Sequence, residues 1–367
     1  MDDRNQEVFR KYDIKVYNTY KARGAVILET DKGLMMLKNY EGSNYRVEFE
    51  NIVKEHLINQ NYENVDLYLR NIDGELISED YSSNRYVLKN WFVGEECNLK
   101  ETSDVLSAVN NLGVLHSLLK GVPLNNDQIE RNAQGNLIEL FDKRNRELKR
   151  VRTYILDKRQ KNEFELCYIT NYEKFYEQGL EAIHTISNSE YPKLLNEAME
   201  KVTICHGNYT YHNVMMLRGS MPASAYGIGE VDMEMEDALS NRQLFLSAAE
   251  FSEKTTATTN FDRAMVGIQV YDLYHYLRKV MEKNDWDVDY GSMILDKYNK
   301  IKPLSKIELK VLYALLLYPE KFWKITNFYY NSKKSWVPQR NIQKLVNIQE
   351  QYHAKDIFLN RLKELTI

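Results

Sequence analysis

The residues best suited to chemistry lie at positions 204–216, Ile-Cys-His-Gly-Asn-Tyr-Thr-Tyr-His-Asn-Val-Met-Met. An apolar lead-in, the His206-Gly207 pair, five residues, Asn213 and an apolar run-out predict a loop between two short buried strands. Such a loop holds polar side chains rigidly beside a cleft. Positioning and coordination are open to this set, but Asn208 cannot be a general base, a contribution worth roughly 100- to 10,000-fold in rate. A loop with an incidental His-Gly and Asn would read the same way.

The elements that must position this loop change character along the chain. Residues 25–30 and 34–39 are apolar runs joined by Asp31-Lys32-Gly33, which predicts a hairpin. Lys38 ends its second strand, where a solvated strand-edge lysine is also common. Residues 46–60 follow as a helix with Phe49, Ile52, Val53 and Leu57 on one face; Glu50 lies beside that stripe, with Glu48 the second carboxylate near it. Further strands are expected at 65–69, 75–78 and 85–93, and the passage through Trp91 to Gly94 ends the β-rich part. The expected domains are therefore a β-rich lobe with one helix at 1–94 and a helical lobe at 95–367.

Within the helical part, periodicity predicts helices at 106–119, 137–155, 173–186 and 194–202, and again over 305–365. His116 is read as packed or exposed rather than catalytic. Residues 218–259 look like an insertion, with acids alternating with apolar residues at 230–237: a solvated surface excursion, or a metal or partner site.

The 367 residues allow a large core and two lobes. Net charge is 49 minus 53, or −4, with no nucleic-acid footprint and no polybasic anchor. Cys97, Cys167 and Cys205 lack zinc spacing and read as buried thiols of a reducing compartment. The polar N-terminus lacks the apolar core of a secretory signal, and no apolar run approaches the roughly 20 residues of a membrane span, so an intracellular protein is expected. Most of the 27 tyrosines read as ordinary half-buried side chains, with oxidative cross-linking as the alternative.

Residues 204–216 resemble the catalytic loop of the aminoglycoside and choline phosphotransferases, His-Gly-Asp, four residues, Asn. Residues 260–264 (Asn-Phe-Asp-Arg-Ala), 270–286 and 318–336 extend the likeness, and the whole resembles the CotS-type spore coat proteins. The resemblance implies an α+β, protein-kinase-like fold of the aminoglycoside phosphotransferase type. It implies the phosphate-gripping lysine at Lys38 with Glu50 as its anchor, metal ligands at Asn213, Asn260 and Asp262, and the catalytic position at Asn208 beside His206. Asp272 would tie down the loop. Residues 20–24, with one glycine, would be a loose phosphate loop.

Both acidic family positions are amides here, Asn208 and Asn260. An amide weakens affinity for a hard cation, so ATP and Mg2+ binding is expected to be weak or absent. The implied protein is made in the mother-cell cytoplasm and then placed in the spore coat. Its implied partners are other spore coat proteins and a small-molecule ligand, with no nucleic acid. Two functions follow: a coat-assembly pseudokinase or very weak phosphotransferase, or an active kinase acting on a hydroxyl of a sugar or amino alcohol. Asp262 would share a face with Asn260 if that segment is extended.

Overall fold

A computed structural model describes residues 3–22, 24–217, 254–331 and 338–365. The chain packs into two compact units, Met1–Gln128 with Asn208–Ala264, and Ile129–Gly207 with Met265–Ile367. Most of the 218–259 segment, including its acidic run, lies outside the described residues, as do Arg23 and Trp336.

The first unit begins with helix α1 (Asp3–Phe9) and strands β1 (Val16–Ala22), β2 (Ala25–Thr30) and β3 (Gly33–Asn39). Helix α2 (Asn44–Asn59), strands β4 (Tyr68–Leu69), β5 (Ser78–Glu79), β6 (Arg85–Asn90) and β7 (Gly94–Glu96), and helix α3 (Thr102–Leu118) follow. The main sheet is antiparallel in the order β1-β2-β3-β6-β4, with β5 also paired to β6. The β2–β3 hairpin turns where Thr30 faces Gly33, whose φ of 101° is costly for any residue with a Cβ.

Strand alternation gives this sheet two faces. Met35, Leu37, Tyr86 and Leu88 pack against Val8, Phe9 and Tyr12. The polar N-terminal sequence did not announce α1, because only its end supplies apolar anchors. On the opposite face Val87 and Tyr68 pack with Val47 of α2. Lys38 lies opposite Val87, and Lys89 lies opposite Met36 and Tyr68, so both lysines belong to the α2 face. The expected phosphate loop at 20–24 is not a loop: Tyr20, Lys21 and Ala22 belong to β1, and Ala22 already pairs with Ala25.

A second sheet joins β7 to Val214–Leu217 and Val214–Leu217 to Thr256–Thr258. The backbones approach so closely that a Cβ on Gly94 would lie 2.4 Å from the Met216 carbonyl oxygen. A buried polar network ties this sheet to α3. Asn111 Nδ2 donates to Tyr209 Oη at 3.0 Å and to Thr258 Oγ1 at 2.9 Å, while Tyr62 Oη donates to Asn111 Oδ1 at 2.9 Å. Tyr209 Oη donates to the Ala108 carbonyl at 2.7 Å.

The second unit is built on helices Leu137–Asp157, Glu163–Ser187, Tyr191–Glu200, Val270–Met281, Val288–Ile301, Lys306–Leu317, Glu320–Asn331, Pro338–Glu350 and Tyr352–Glu364. Its core includes Leu148, Phe164, Tyr168, Phe322, Tyr329 and Leu345. Helix Glu163–Ser187 starts in a capping box, Asn162 and Glu165 satisfying each other's backbone N–H. Tyr168, Tyr191, Tyr209, Tyr276, Tyr298 and Tyr318 are fully buried in the protein rather than half-buried. Among the described residues no helix is long and apolar enough to cross a membrane.

Candidate active site

Lys38 sits at the end of β3, half-buried, with its ammonium 3.5 Å from Asn260 Oδ1. Burial, and then the charge of Lys89, lower its pKa.

Glu50 is buried on α2, whose first turn is capped by Ser43 Oγ accepting from Arg46 N at 3.1 Å. Its carboxylate does not anchor Lys38. Tyr68 Oη donates to it at 2.6 Å, Arg46 Nε at 3.0 Å and Tyr40 Oη at 3.2 Å. Burial raises the Glu50 pKa despite these donors. Instead of Lys38, Arg46, one turn earlier on the same helix, and two tyrosines donate to this carboxylate. Arg46 also reaches the Asp262 and Ala264 carbonyls, at 3.1 and 2.7 Å, and so holds the 260–264 segment onto α2.

Three charged residues that sequence reasoning passed over lie at and behind the wall of the site, Lys89 alone of them lining the cleft. Lys54 and Asp66 are fully buried and Lys89 is 2% exposed. Lys89 Nζ donates to Asp66 Oδ2 at 2.5 Å, and Lys54 Nζ is ion-paired to Oδ1 at 3.0 Å, though Oδ1 accepts no hydrogen bond. Lys54 Nζ also donates to the Asp66 carbonyl at 2.9 Å and lies 3.5 Å from the centre of the Tyr68 ring. Burial would raise the Asp66 pKa, but the two ammoniums outweigh it and hold the carboxyl at about 2. Burial brings Lys54 down to about 8. The available signal was a charge inside each apolar stretch: Asp66 between Val65 and Leu67, Lys89 after Tyr86-Val87-Leu88, and Lys54 one turn beyond Glu50.

Asn260 is the junction. Its backbone adopts φ 62°, the left-handed region, and its N–H donates to Asp66 Oδ2 at 2.9 Å. Lys89 Nζ donates to its Oδ1 at 2.9 Å, and its Nδ2 donates to Asn213 Oδ1 at 2.9 Å. The amide orientation is settled chemically: a lysine ammonium has no acceptor, so the oxygen must face Lys89. Asn213 Nδ2 donates in turn to the Asn208 carbonyl at 2.9 Å, closing the loop on itself. The left-handed residue means the segment is not extended past Thr258, and Asp262 reaches the same cleft through a turn rather than by strand alternation. The cleft, about 490 Å3, is lined by Lys38, Arg46, Glu50, Lys89, Asn260 and Asp262 among others.

These residues do not fit a magnesium ion. Magnesium wants six oxygens at about 2.0–2.1 Å in near-octahedral order. Here Asn260 Oδ1 already accepts from Lys89 and Asn213 Oδ1 from Asn260. A cation at Asn260 Oδ1 would also meet the Lys89 ammonium. Among the described residues no group of three His, Cys, Asp or Glu side chains could hold a metal.

In the second unit, His206 and Asp272 are buried. Asp272 Oδ2 accepts the His206 backbone N–H at 2.6 Å, and Oδ1 accepts that of Gly207 at 2.8 Å. Gly207 has φ 74°, which brings both N–H groups to one carboxylate.

The fold is α+β and protein-kinase-like, of the aminoglycoside phosphotransferase type. It is similar to a solved aminoglycoside phosphotransferase of Alicyclobacillus acidocaldarius subsp. acidocaldarius, with TM-score 0.78 and 15% identity over 98% of this chain and 96% of that one. The AMP-bound spectinomycin phosphotransferase APH(9)-Ia gives TM-score 0.59 and 8% identity over 95% and 98%. In sequence, spore coat protein S of Bacillus subtilis (strain 168) is 24% identical over 343 residues, 92% of this chain and 86% of that protein. The family model described as spore coat putative kinase YutH matches residues 5–221 and 253–362. The chain belongs to that spore coat putative kinase family.

Proposed function

We propose that this chain is a spore coat pseudokinase, a kinase-like protein that serves coat assembly by binding and has lost nucleotide turnover or retains very little. One observation carries the reading: Asn260, at the family's metal-binding acid position, is an amide bonded to Lys89, with Asn213 engaged by the same amide. Asn208 adds to it, since an amide at the base position cannot take the acceptor proton. The protein is made in the mother-cell cytoplasm and moves to the coat, where other coat proteins are its partners. Any nucleotide in the cleft acts as a ligand, with Lys38 on its phosphates.

The test pairs spore fractionation with a turnover assay on the purified chain. Recovery in the coat fraction, with ATP consumption far below the roughly 1 to 100 per second of working kinases, is the expected result. Turnover in that range overturns the reading.

A second reading, an active kinase for a sugar or amino-alcohol hydroxyl, is favoured by Asp262 alone. Its exposed side chain lies in the lining of the same cleft as Lys38. A carboxylate there could serve a loose transition state in which the acceptor proton leaves late.

A further inference from the structure

The misfit to magnesium has a positive counterpart. We propose that the Lys89 ammonium replaces the divalent cation, making the cleft a metal-independent site for the polyphosphate group of a small molecule. The inference deepens the reading above and rests on it only in treating the cleft as a binding site.

Lys89 is fixed as a bound ion would be. It is held by Asp66 at 2.5 Å and placed 2.9 Å from the Asn260 oxygen. Those two bonds take two of its three N–H groups. Lys38 converges on the same oxygen at 3.5 Å. Lys54 keeps Asp66 occupied from the other side at 3.0 Å. Burial and then the charge of Lys89 lower the Lys38 pKa, against the opposing pull of Asp262, Asp66 and Glu50, so the two ammoniums that face the cleft repel each other. A phosphate group placed between them relieves that repulsion.

The acids of the cleft offset part of this charge but leave both ammoniums facing the space. Asp66 is sealed from solvent, and Glu50 is turned to Tyr68, Tyr40 and Arg46. Glu41 and Asp262 line the cleft but are exposed, so they repel an anion only from solvent-screened positions. The cleft volume of about 490 Å3 is within the range of small-molecule sites.

The test measures binding of ATP, AMP and inorganic tripolyphosphate to the full chain by calorimetry, each in magnesium and in EDTA, with Mn2+ alone titrated by electron paramagnetic resonance. ATP is expected to bind equally well in both buffers, AMP at least about tenfold more weakly, and Mn2+ alone not at all. Tripolyphosphate matching ATP identifies an inorganic or generic polyphosphate ligand, and ATP alone identifies a nucleotide; both support the site. Lys89→Met and Lys38→Met should each weaken binding by about tenfold or more. Lys89→Met leaves Asp66 paired with Lys54, and Lys38 is half-buried at a strand end; ligand-free melting temperatures of both variants near that of wild type show that loss of binding is not a folding artefact. Magnesium-dependent binding, AMP equal to ATP, Mn2+ uptake by the protein alone, or no polyphosphate binding in either buffer overturns the inference. Turnover in the kinase range with metal-free binding would sink the functional reading and leave this one standing; no binding and no turnover would do the reverse.

Discussion

Asp66 and Lys89 meet at 2.5 Å beneath the cleft, with Lys54 at 3.0 Å from the other carboxylate oxygen. Two buried ammoniums on one buried carboxylate make that carboxylate costly to remove. Asp66→Asn is expected to destabilise the protein by about 3–5 kcal/mol, because it leaves buried charge without a partner.

The same cluster sets a pH dependence. The folded Asp66 pKa of about 2 lies below the ordinary value of 3.8. The unfolded chain therefore binds more protons in that window, and the stabilisation is present above about 3.8 and lost as pH falls toward 2. Urea unfolding of wild type and Asp66→Asn at several pH values should show their difference shrinking through that window. A difference constant from pH 6 to 2.5 would refute the assignment.

Restoring the family's acids should not restore the metal. In Asn208→Asp, Asn260→Asp a new carboxylate at 260 would face the Lys89 ammonium, now 2.9 Å from the amide oxygen, and be neutralised by it. Magnesium-dependent ATP hydrolysis is expected to stay at the wild-type level in this double variant. Adding Lys89→Met should raise Mn2+ affinity by about tenfold or more, since the carboxylate at 260 then has no ammonium beside it. Full recovery in the double variant would show that Lys89 does not block the site.

Asp272→Ala removes the acceptor of two backbone N–H groups, those of His206 and Gly207. Each bond to a charged group is worth about 1.5–3 kcal/mol, and the freed donor of buried His206 gains no water in return. A loss of roughly 3 kcal/mol or more is expected by chemical denaturation, with Asp272→Asn less damaging because one acceptor survives. Equal losses would mean the carboxylate acts through its charge alone.

Gly94→Ala places a methyl 2.4 Å from the Met216 carbonyl oxygen, backbone against backbone. Neither strand can move without breaking the small sheet, so a cost of about 1–3 kcal/mol is expected in melting experiments.

Local pattern was enough for much of this protein. The β2–β3 hairpin, the helix carrying Glu50 beside its apolar stripe, the loop at 204–216 and the long helices after Cys97 follow from periodicities and turn residues a few positions apart. Two amides at acid positions were also plain in the residues themselves. What the chain could not state locally was who meets whom. Glu50 was assigned to Lys38, yet Arg46, Tyr68 and Tyr40 fill it. Asp262 shares a face with Asn260 only if that segment is extended, and the left-handed Asn260 interrupts it.

Lys54, Asp66 and Lys89 come from a helix, a connection and a strand, and Asn260 joins them from almost two hundred residues beyond Asp66. Each alone looks like a charge on an amphipathic element, because a sequence shows the sign of a side chain but not the solvent it loses. Only packing decided that these charges are buried. Once they are buried, Coulomb attraction at low dielectric requires that they find each other and leave an ammonium beside Asn260.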